Sequence, residues 1–144
     1  MRFWAIVLTG AVLAGPALAS EIDPAERREF PAYDANLPPC ADQYVLGEIS
    51  NKFSTAEDRF WNTSLRIAAF ERIRETGWRP WGLSKIPRRF CSGVVIMSDG
   101  RKRRIDYSVR EGLSFLGASW GTEWCITGLD REYAYAPWCK QAQP

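Results

Sequence analysis

The sequence has 144 residues, of which 46% are hydrophobic, 13% aromatic and 25% charged, and its formal net charge is +2. This composition is typical of one folded domain and excludes an intrinsically disordered chain. Histidine is absent, which removes the most common general base near neutral pH and the imidazole ligand of most zinc and copper sites. We therefore predict no enzymatic activity, no metal site and no cofactor.

Residues 1–19 have the pattern of a secretion signal. Arg2 supplies a positive charge, residues 3–13 form an apolar run that is short for a membrane span, and Ala17 and Ala19 fit the small-residue cleavage pattern before Ser20. An uncleaved membrane anchor is the alternative interpretation. The segment predicts a periplasmic or secreted protein with no transmembrane segment in the mature chain.

Residues 20–41 are predicted to form an extended acidic arm, because four prolines interrupt them and they show little periodicity. Residues 20–48 carry seven carboxylates against two arginines, whereas residues 49–110 carry fourteen basic side chains against six acidic ones. One explanation of this asymmetry is that the arm lies against a basic face of its own domain. Residues 42–144 are predicted to form that domain.

Residues 42–61 are predicted to form an amphipathic helix, because apolar residues recur there at steps of three and four. Ser54 and Glu57 also form a possible capping box, so a break into two helices near Ser54 remains open. The apolar positions are Val45, Leu46, Ile49, Phe53, Ala56 and Phe60.

Residues 65–76 are ambiguous between helix and strand. Ala68, Glu71 and Arg72 favour a helix by propensity. Ile67, Ala69 and Ile73 can equally lie on one face of an irregular strand. A loop is predicted over residues 78–87, where glycine and proline recur.

The clearest local signal is a β-hairpin, formed by residues 90–97 and 102–110 around Asp99-Gly100, the preferred two-residue turn. A two-residue turn pairs Val94 with Ile105 and places Cys91 on the opposite face, together with Arg104. Residues 120–127 alternate as a further strand, with Cys125 on the face opposite Trp124.

The four cysteines, Cys40, Cys91, Cys125 and Cys139, are predicted to form two disulfides in an oxidising compartment. They contain no CxxC pair and match no zinc spacing. Three connectivities are possible. In a three-stranded meander Cys91 and Cys125 lie about 9–10 Å apart, which is beyond bridging distance. We prefer Cys40–Cys91 with Cys125–Cys139.

Two patterns that suggest catalysis lack the partners that their chemistry needs. Residues 117–121 match the G-x-S-x-G motif of a nucleophile elbow, but no histidine is present to take the proton of Ser119. Adjacent carboxylates such as Glu57 and Asp58 point in different directions on a helix, so a solvated surface is the simpler interpretation.

A cluster of basic residues follows the hairpin turn: Arg101, Lys102, Arg103 and Arg104. Such a cluster attracts polyanions, which in an exported protein are lipid phosphates, lipopolysaccharide or an acidic protein rather than nucleic acid. The alternative is a solvated strand whose charges prevent edge-to-edge aggregation.

Four cysteine contexts carry a resemblance: LPPC at 37–40, RRFC at 88–91, WCITGLDR at 124–131 and YAPWC at 135–139. Together they resemble a group of uncharacterised short exported proteins of alphaproteobacteria. The resemblance implies a periplasmic location and an α+β fold, with one N-terminal helix packed on a curved antiparallel sheet of about four strands. That outline is cystatin-like or nuclear-transport-factor-like, and it favours a strand at residues 65–76.

These observations predict a non-enzymatic periplasmic binding or accessory protein, whose contact surface is the concave sheet face or the basic hairpin. The partner is an unidentified protein or an anionic component of the cell envelope. The alternative is a small carboxylate-based hydrolase or isomerase with a cone-shaped pocket, because folds of this outline also host enzymes.

Overall fold

The computed structural model describes residues 37–79, 86–112 and 119–144. The predicted signal and residues 20–36 of the predicted arm lie outside the described residues. Helix α1 spans Gln43–Ala56 and continues as a π-helical turn over Glu57–Trp61. The strands are β1 Ile67–Arg79, β2 Arg88–Met97, β3 Lys102–Glu111 and β4 Trp120–Ile126, and a 3-10 turn spans Lys140–Ala142.

The four strands form one antiparallel sheet in the order β1-β2-β3-β4. Within the described residues β1 and β4 are its edges. Helix α1 packs on one face, which we call the inner face, and the other is the outer face. This arrangement confirms the predicted α+β class.

Helix α1 begins where the sequence predicts. The Asp42 carboxylate accepts hydrogen bonds from the backbone N–H groups of Tyr44 (2.8 Å) and Val45 (3.4 Å), as an N-cap does. Val45, Ile49 and Phe53 form its buried face. The alternative break near Ser54 is absent, because the Ser54 hydroxyl donates to the carbonyl of Asn51 and caps no new helix.

The ambiguous segment at residues 65–76 is a strand, as the resemblance favours. Strand β1 continues through Trp78 to Arg79, so part of the predicted loop is sheet. Its pairing with β2 is interrupted by three register shifts. Ile73 packs over Gly93 of β2, where a Cβ atom would lie 2.4 Å from the Ile73 Cδ1 atom. Glycine at position 93 therefore makes room for the irregular strand.

The hairpin exists, but the predicted register is wrong by one residue. The loop contains three residues, with Gly100 in the left-handed conformation (φ 78°), and the Met97 N–H donates to the Arg101 carbonyl at 2.9 Å. Val94 therefore pairs with Arg104 and not with Ile105.

This register corrects the predicted position of Cys91. Cys91 pairs with Tyr107, so its side chain lies on the inner face against the helix. It bonds to Cys40, and Cys125 bonds to Cys139. The preferred connectivity is therefore confirmed. Cys91 and Cys125 do not bond to each other because they lie on opposite faces of the sheet, in addition to being two strands apart.

The outer face is covered by the C-terminal segment. Ser92, Asp106 and Ser108 are buried there, as are Ala142 and Cys139 of that segment. The Gln143 side-chain amide donates to Asp106 at 3.3 Å. The Cys125–Cys139 bond therefore joins the tail to the face that it covers.

Replacing the inner-face Tyr107 by phenylalanine is expected to lower the free energy of unfolding at pH 7 by about 1–2 kcal/mol. The Tyr107 hydroxyl is buried and donates to the carbonyl of Cys40 at 2.6 Å, so Tyr107→Phe leaves a buried acceptor without its donor. Urea unfolding measures the loss. Tyr44→Phe is the matched control, because Tyr44 is exposed.

The difference between the wild type and Tyr107→Phe is expected to shrink at alkaline pH. Burial raises the pKa of Tyr107, so the folded protein keeps the phenolic proton where the unfolded chain has lost it. The stabilisation is complete below the ordinary tyrosine pKa of about 10 and is lost as the pH rises above it. A difference that does not change with pH would contradict this origin of the effect.

Candidate functional site

The predicted basic cluster at the hairpin is divided between the two faces of the sheet. Lys102 lies 2.9 Å from Glu71, and Arg104 lies 2.9 Å from the buried carboxylate of Asp106. Arg101 lies 3.7 Å from Asp99. Three of the four cations are therefore adjacent to carboxylates.

The fourth cation, Arg103, is directed toward the other face. In the β2–β3 register it lies opposite the buried Val95. Its guanidinium donates to the carbonyl of Thr127 at 3.4 Å. Consecutive residues of a strand point to opposite faces. For this reason a run of four basic residues does not form one patch.

The inner face of the sheet, which would be the concave face in the predicted outline, is occupied by the helix. Phe53 of α1 is buried and meets Trp124 of β4 edge to face, with ring centroids 5.6 Å apart. Tyr107 and Ile126 of the sheet are buried in the same core. A ligand does not reach this face without displacing the helix.

The two buried carboxylates among the described residues lie on opposite sides of the sheet. Glu57 follows α1 on the inner side, where Arg131 lies 3.0 Å from it. Asp106 lies on the outer face with Arg104 and Gln143. The carboxylate-based enzyme needs two such groups in one pocket, and this arrangement does not bring them together.

Other predicted features fall partly outside the described residues. In the G-x-S-x-G pattern, Gly117 and Ala118 lie outside them, and the Ser119 carbonyl accepts from the Gly112 N–H at 2.8 Å. Within the described ranges, no group of three or more acidic or cysteine side chains is placed to hold a metal ion. None of the helices in those ranges is long and apolar enough to cross a membrane.

Three arginines form a row across the outer face, and we call Arg79, Arg88 and Arg110 the arginine row. On three adjacent strands, Arg79 lies directly opposite Arg88, and Arg88 lies directly opposite Arg110. Directly opposed residues have Cβ atoms about 4.5–5.5 Å apart on the same face, and like charges in such positions repel each other. The row therefore concentrates positive charge at one end of the sheet.

The charge of the row is only partly balanced. Arg110 lies 2.6 Å from Glu123, whereas the Arg79 guanidinium stacks 5.3 Å from the centre of the Phe90 ring. Arg88 has no carboxylate partner within the described residues. Burial lowers the pKa of Arg88, and the neighbouring Arg110 and Arg79 lower it further, while Glu123 opposes the change.

Two further observations indicate unmet bonding capacity at the row. The Nε atoms of Arg88 and Arg110 are buried without a hydrogen-bond partner in the described part of the chain. The connections that flank the row, residues 80–87 and 112–119, contain no aspartate or glutamate. These two connections therefore supply no carboxylate to the row.

A second surface feature is a groove of about 500 Å³ along the edge of β4 that no described strand pairs with, which we call the edge groove. Consecutive residues of β4, from Thr122 to Ile126, line it, so it follows the strand edge and not one face. Phe60 and Trp61 form a wall on the helix side, and residues 129–135 close the other side. Phe60 is 69% exposed.

The walls of the edge groove are fixed by several contacts. The Asp130 carboxylate accepts from the N–H groups of Ala134 and Tyr135, both at 2.9 Å. Arg131 joins the loop to Glu57 and stacks 4.9 Å from the Trp61 ring centre. The groove is therefore largely formed without a ligand.

A groove of about 590 Å³ adjoins it on the far side of Asp130 and Arg131. Tyr133 and Trp138 line this groove, and they are 78% and 80% exposed. Both have left-handed backbone conformations (φ 56° and 52°), which are strained for bulky residues.

Together these features define a small disulfide-bonded α+β domain, whose described residues form a helix that covers an open four-stranded antiparallel sheet. No protein-family model matches this chain, and no curated protein or solved structure is significantly similar to it.

Proposed function

We propose that the protein is a non-enzymatic binding or accessory protein of the periplasm or the extracellular medium, and that it contacts an anionic partner through the arginine row. The observation that carries the proposal is the row itself, in which three arginines lie side by side on adjacent strands and Glu123 pairs with Arg110. The two disulfides support an oxidising compartment. We also propose that the fold has a cystatin-like or nuclear-transport-factor-like outline.

Arginine suits an anionic partner because its planar guanidinium donates two parallel hydrogen bonds to a carboxylate or a phosphate. A bound anion between Arg79 and Arg88 offsets the mutual repulsion of their guanidinium groups. The partner is an acidic protein or an anionic envelope component such as a lipid phosphate, and not a nucleic acid. The hairpin cations offer less, because carboxylates already lie beside three of them.

The enzymatic alternative has less support. Its two candidate acids are separated by the sheet, and each already has an arginine partner. The chain also has no histidine to serve as a base.

Vesicles that contain phosphatidylglycerol provide a defined anionic probe for the row. The double variant Arg79→Gln/Arg88→Gln is expected to bind them at least about tenfold more weakly than the wild type in co-sedimentation, a difference of about 1.4 kcal/mol. Arg101→Gln/Lys102→Gln removes the same charge at the hairpin and is expected to bind as the wild type does. Pyrophosphate titrations of the same proteins distinguish a phosphate site from a membrane surface.

Each outcome of this comparison decides between two surfaces. A loss confined to the hairpin variant would move the site back to the predicted cluster, and equal losses would show a response to net charge alone. Exchanging the carboxylates of residues 20–36 for amides tests whether the acidic arm competes for the row. Stronger vesicle binding is the expected result if it does.

A further inference from the structure

We propose that the edge groove binds an extended, basic segment of a partner protein, which adds to the sheet as a fifth strand beside β4. The proposal is independent of the arginine row, because it depends on the backbone of β4 and on the groove walls. A peptide that adds to a sheet edge gains affinity from main-chain hydrogen bonds and specificity from alternate side chains.

The hydrogen-bond ladder shows which backbone groups of β4 face the groove. The Gly112 N–H donates to the Ser119 carbonyl, and the Thr127 N–H donates to the Arg104 carbonyl. Odd-numbered residues of β4 therefore bond to β3, and even-numbered residues direct their N–H and C=O groups away from it. Thr122, Trp124 and Ile126 are the even-numbered residues that line the groove.

Both ends of this free edge are already closed. The Lys52 ammonium donates to the Thr122 carbonyl at 3.2 Å, and the Leu129 N–H donates to the Ile126 carbonyl at 2.9 Å. Proteins commonly protect exposed edges in this way. Between these closures the N–H and C=O of Trp124 remain directed into the groove, which is enough to pair with a short strand.

The charge of the groove selects a basic segment. Glu123, Asp130 and Glu132 line it, together with Arg131. Glu123 is paired with Arg110 outside the lining, so the acidic character rests on Asp130 and Glu132. Arg131 is in turn paired with Glu57 outside the lining. Side chains of an added strand that point toward the helix meet Phe60 and Trp61, and those on the other side meet Glu123 and Tyr135. The groove therefore fits a segment in which apolar and basic residues alternate.

The acidic charge of the groove disfavours two other occupants, which are residues 20–36 of this chain and a second copy of the protein. Residues 20–36 of this chain carry five carboxylates and two prolines, so they are repelled by the groove and poorly suited to a strand. Pairing β4 with β4 of a second copy brings two acidic grooves together. A separate partner with a basic strand has neither disadvantage.

The experiment uses a phage-displayed library of random nonapeptides selected on the whole protein. Selected peptides are expected to alternate apolar residues with lysine or arginine. The best binder is then synthesised with N-methyl groups on alternate amides, in the two possible sets. Methylation of the set that faces β4 is expected to weaken binding at least about tenfold, and methylation of the other set is expected to leave it unchanged.

Protein variants locate the binding. Phe60→Ala removes an exposed groove wall, while Tyr44→Ala removes a similarly exposed ring (71%) from the other end of the helix. Glu132→Lys reverses one groove charge. Phe60→Ala and Glu132→Lys are expected to weaken peptide binding, whereas Tyr44→Ala and Arg79→Gln/Arg88→Gln are not.

Several results would overturn the proposal. They are equal effects of the two methylation sets, equal effects of Phe60→Ala and Tyr44→Ala, selected peptides without an excess of basic residues, and a selection that gives no binder. Self-association that Phe60→Ala abolishes would show that a second copy is the occupant.

Discussion

Replacing both cysteines of the Cys40–Cys91 bridge by alanine is expected to lower the free energy of unfolding by about 4 kcal/mol. The bridge joins residues 51 positions apart, and in the loop-closure model a longer closed loop restricts the unfolded chain more strongly. It also holds the segment before α1 against the inner face, where both cysteines are buried.

The Cys125–Cys139 bridge is the internal comparison. It spans 14 positions, so its removal is expected to lower the free energy of unfolding by about 3 kcal/mol, less than removal of the first bridge. Urea unfolding of the two double-alanine variants at pH 7 measures both losses. A larger loss from the shorter bridge would show that contacts of the tail with the outer face outweigh loop closure.

Local chemistry made the helix and the hairpin predictable. Asp42 is an N-cap residue before an apolar repeat, and Asp99-Gly100 lies between two alternating strands. The register was not predictable from the same residues, because Asp-Gly suits loops of two and of three residues. One additional residue in the loop placed Cys91 on the face that it shares with Tyr107, instead of the face of Arg104.

Strand β1 shows how tertiary pairing overrides propensity. Residues such as Ala68 and Glu71 favour a helix in isolation. In the fold, Glu71 pairs with Val94 and Phe70 with Val95, and the packing of Ile73 over Gly93 accommodates an irregular strand. These β2 partners are far from β1 in sequence, so no local sequence pattern predicts the pairing.

The candidate sites were less predictable than the fold. Arg101 to Arg104 are adjacent in sequence, which predicts one basic cluster, although a strand sends alternate residues to opposite faces. Arg79, Arg88 and Arg110 are far apart in sequence and meet only through two strand registers. A correct hairpin register would have paired Arg88 with Arg110. The edge groove also requires the path of residues 129–135, which no repeat or motif indicates.

Replacing Arg131 by methionine is expected to lower the free energy of unfolding by about 3 kcal/mol, because it leaves a buried carboxylate without its counter-charge. Only 3% of the Glu57 side chain is exposed, and Arg131 lies 3.0 Å from it. The Thr63 hydroxyl also donates to this carboxylate, but a neutral hydroxyl does not replace a guanidinium. Methionine keeps apolar contact with Trp61, so the loss reports mainly on the charge.

A double-mutant cycle separates the charge from the packing. Glu57→Gln in the Arg131→Met background is expected to recover about 1–2 kcal/mol, since the buried group is then neutral. Lys102→Met breaks the exposed pair with Glu71, whose side chains are 56% and 38% exposed, and is expected to cost at most about 1 kcal/mol. Urea unfolding at pH 7 measures these three variants and the single variant Glu57→Gln, which completes the cycle. If Arg131→Met costs no more than Lys102→Met, water reaches Glu57 and the helix-side wall of the edge groove is not held by this ion pair.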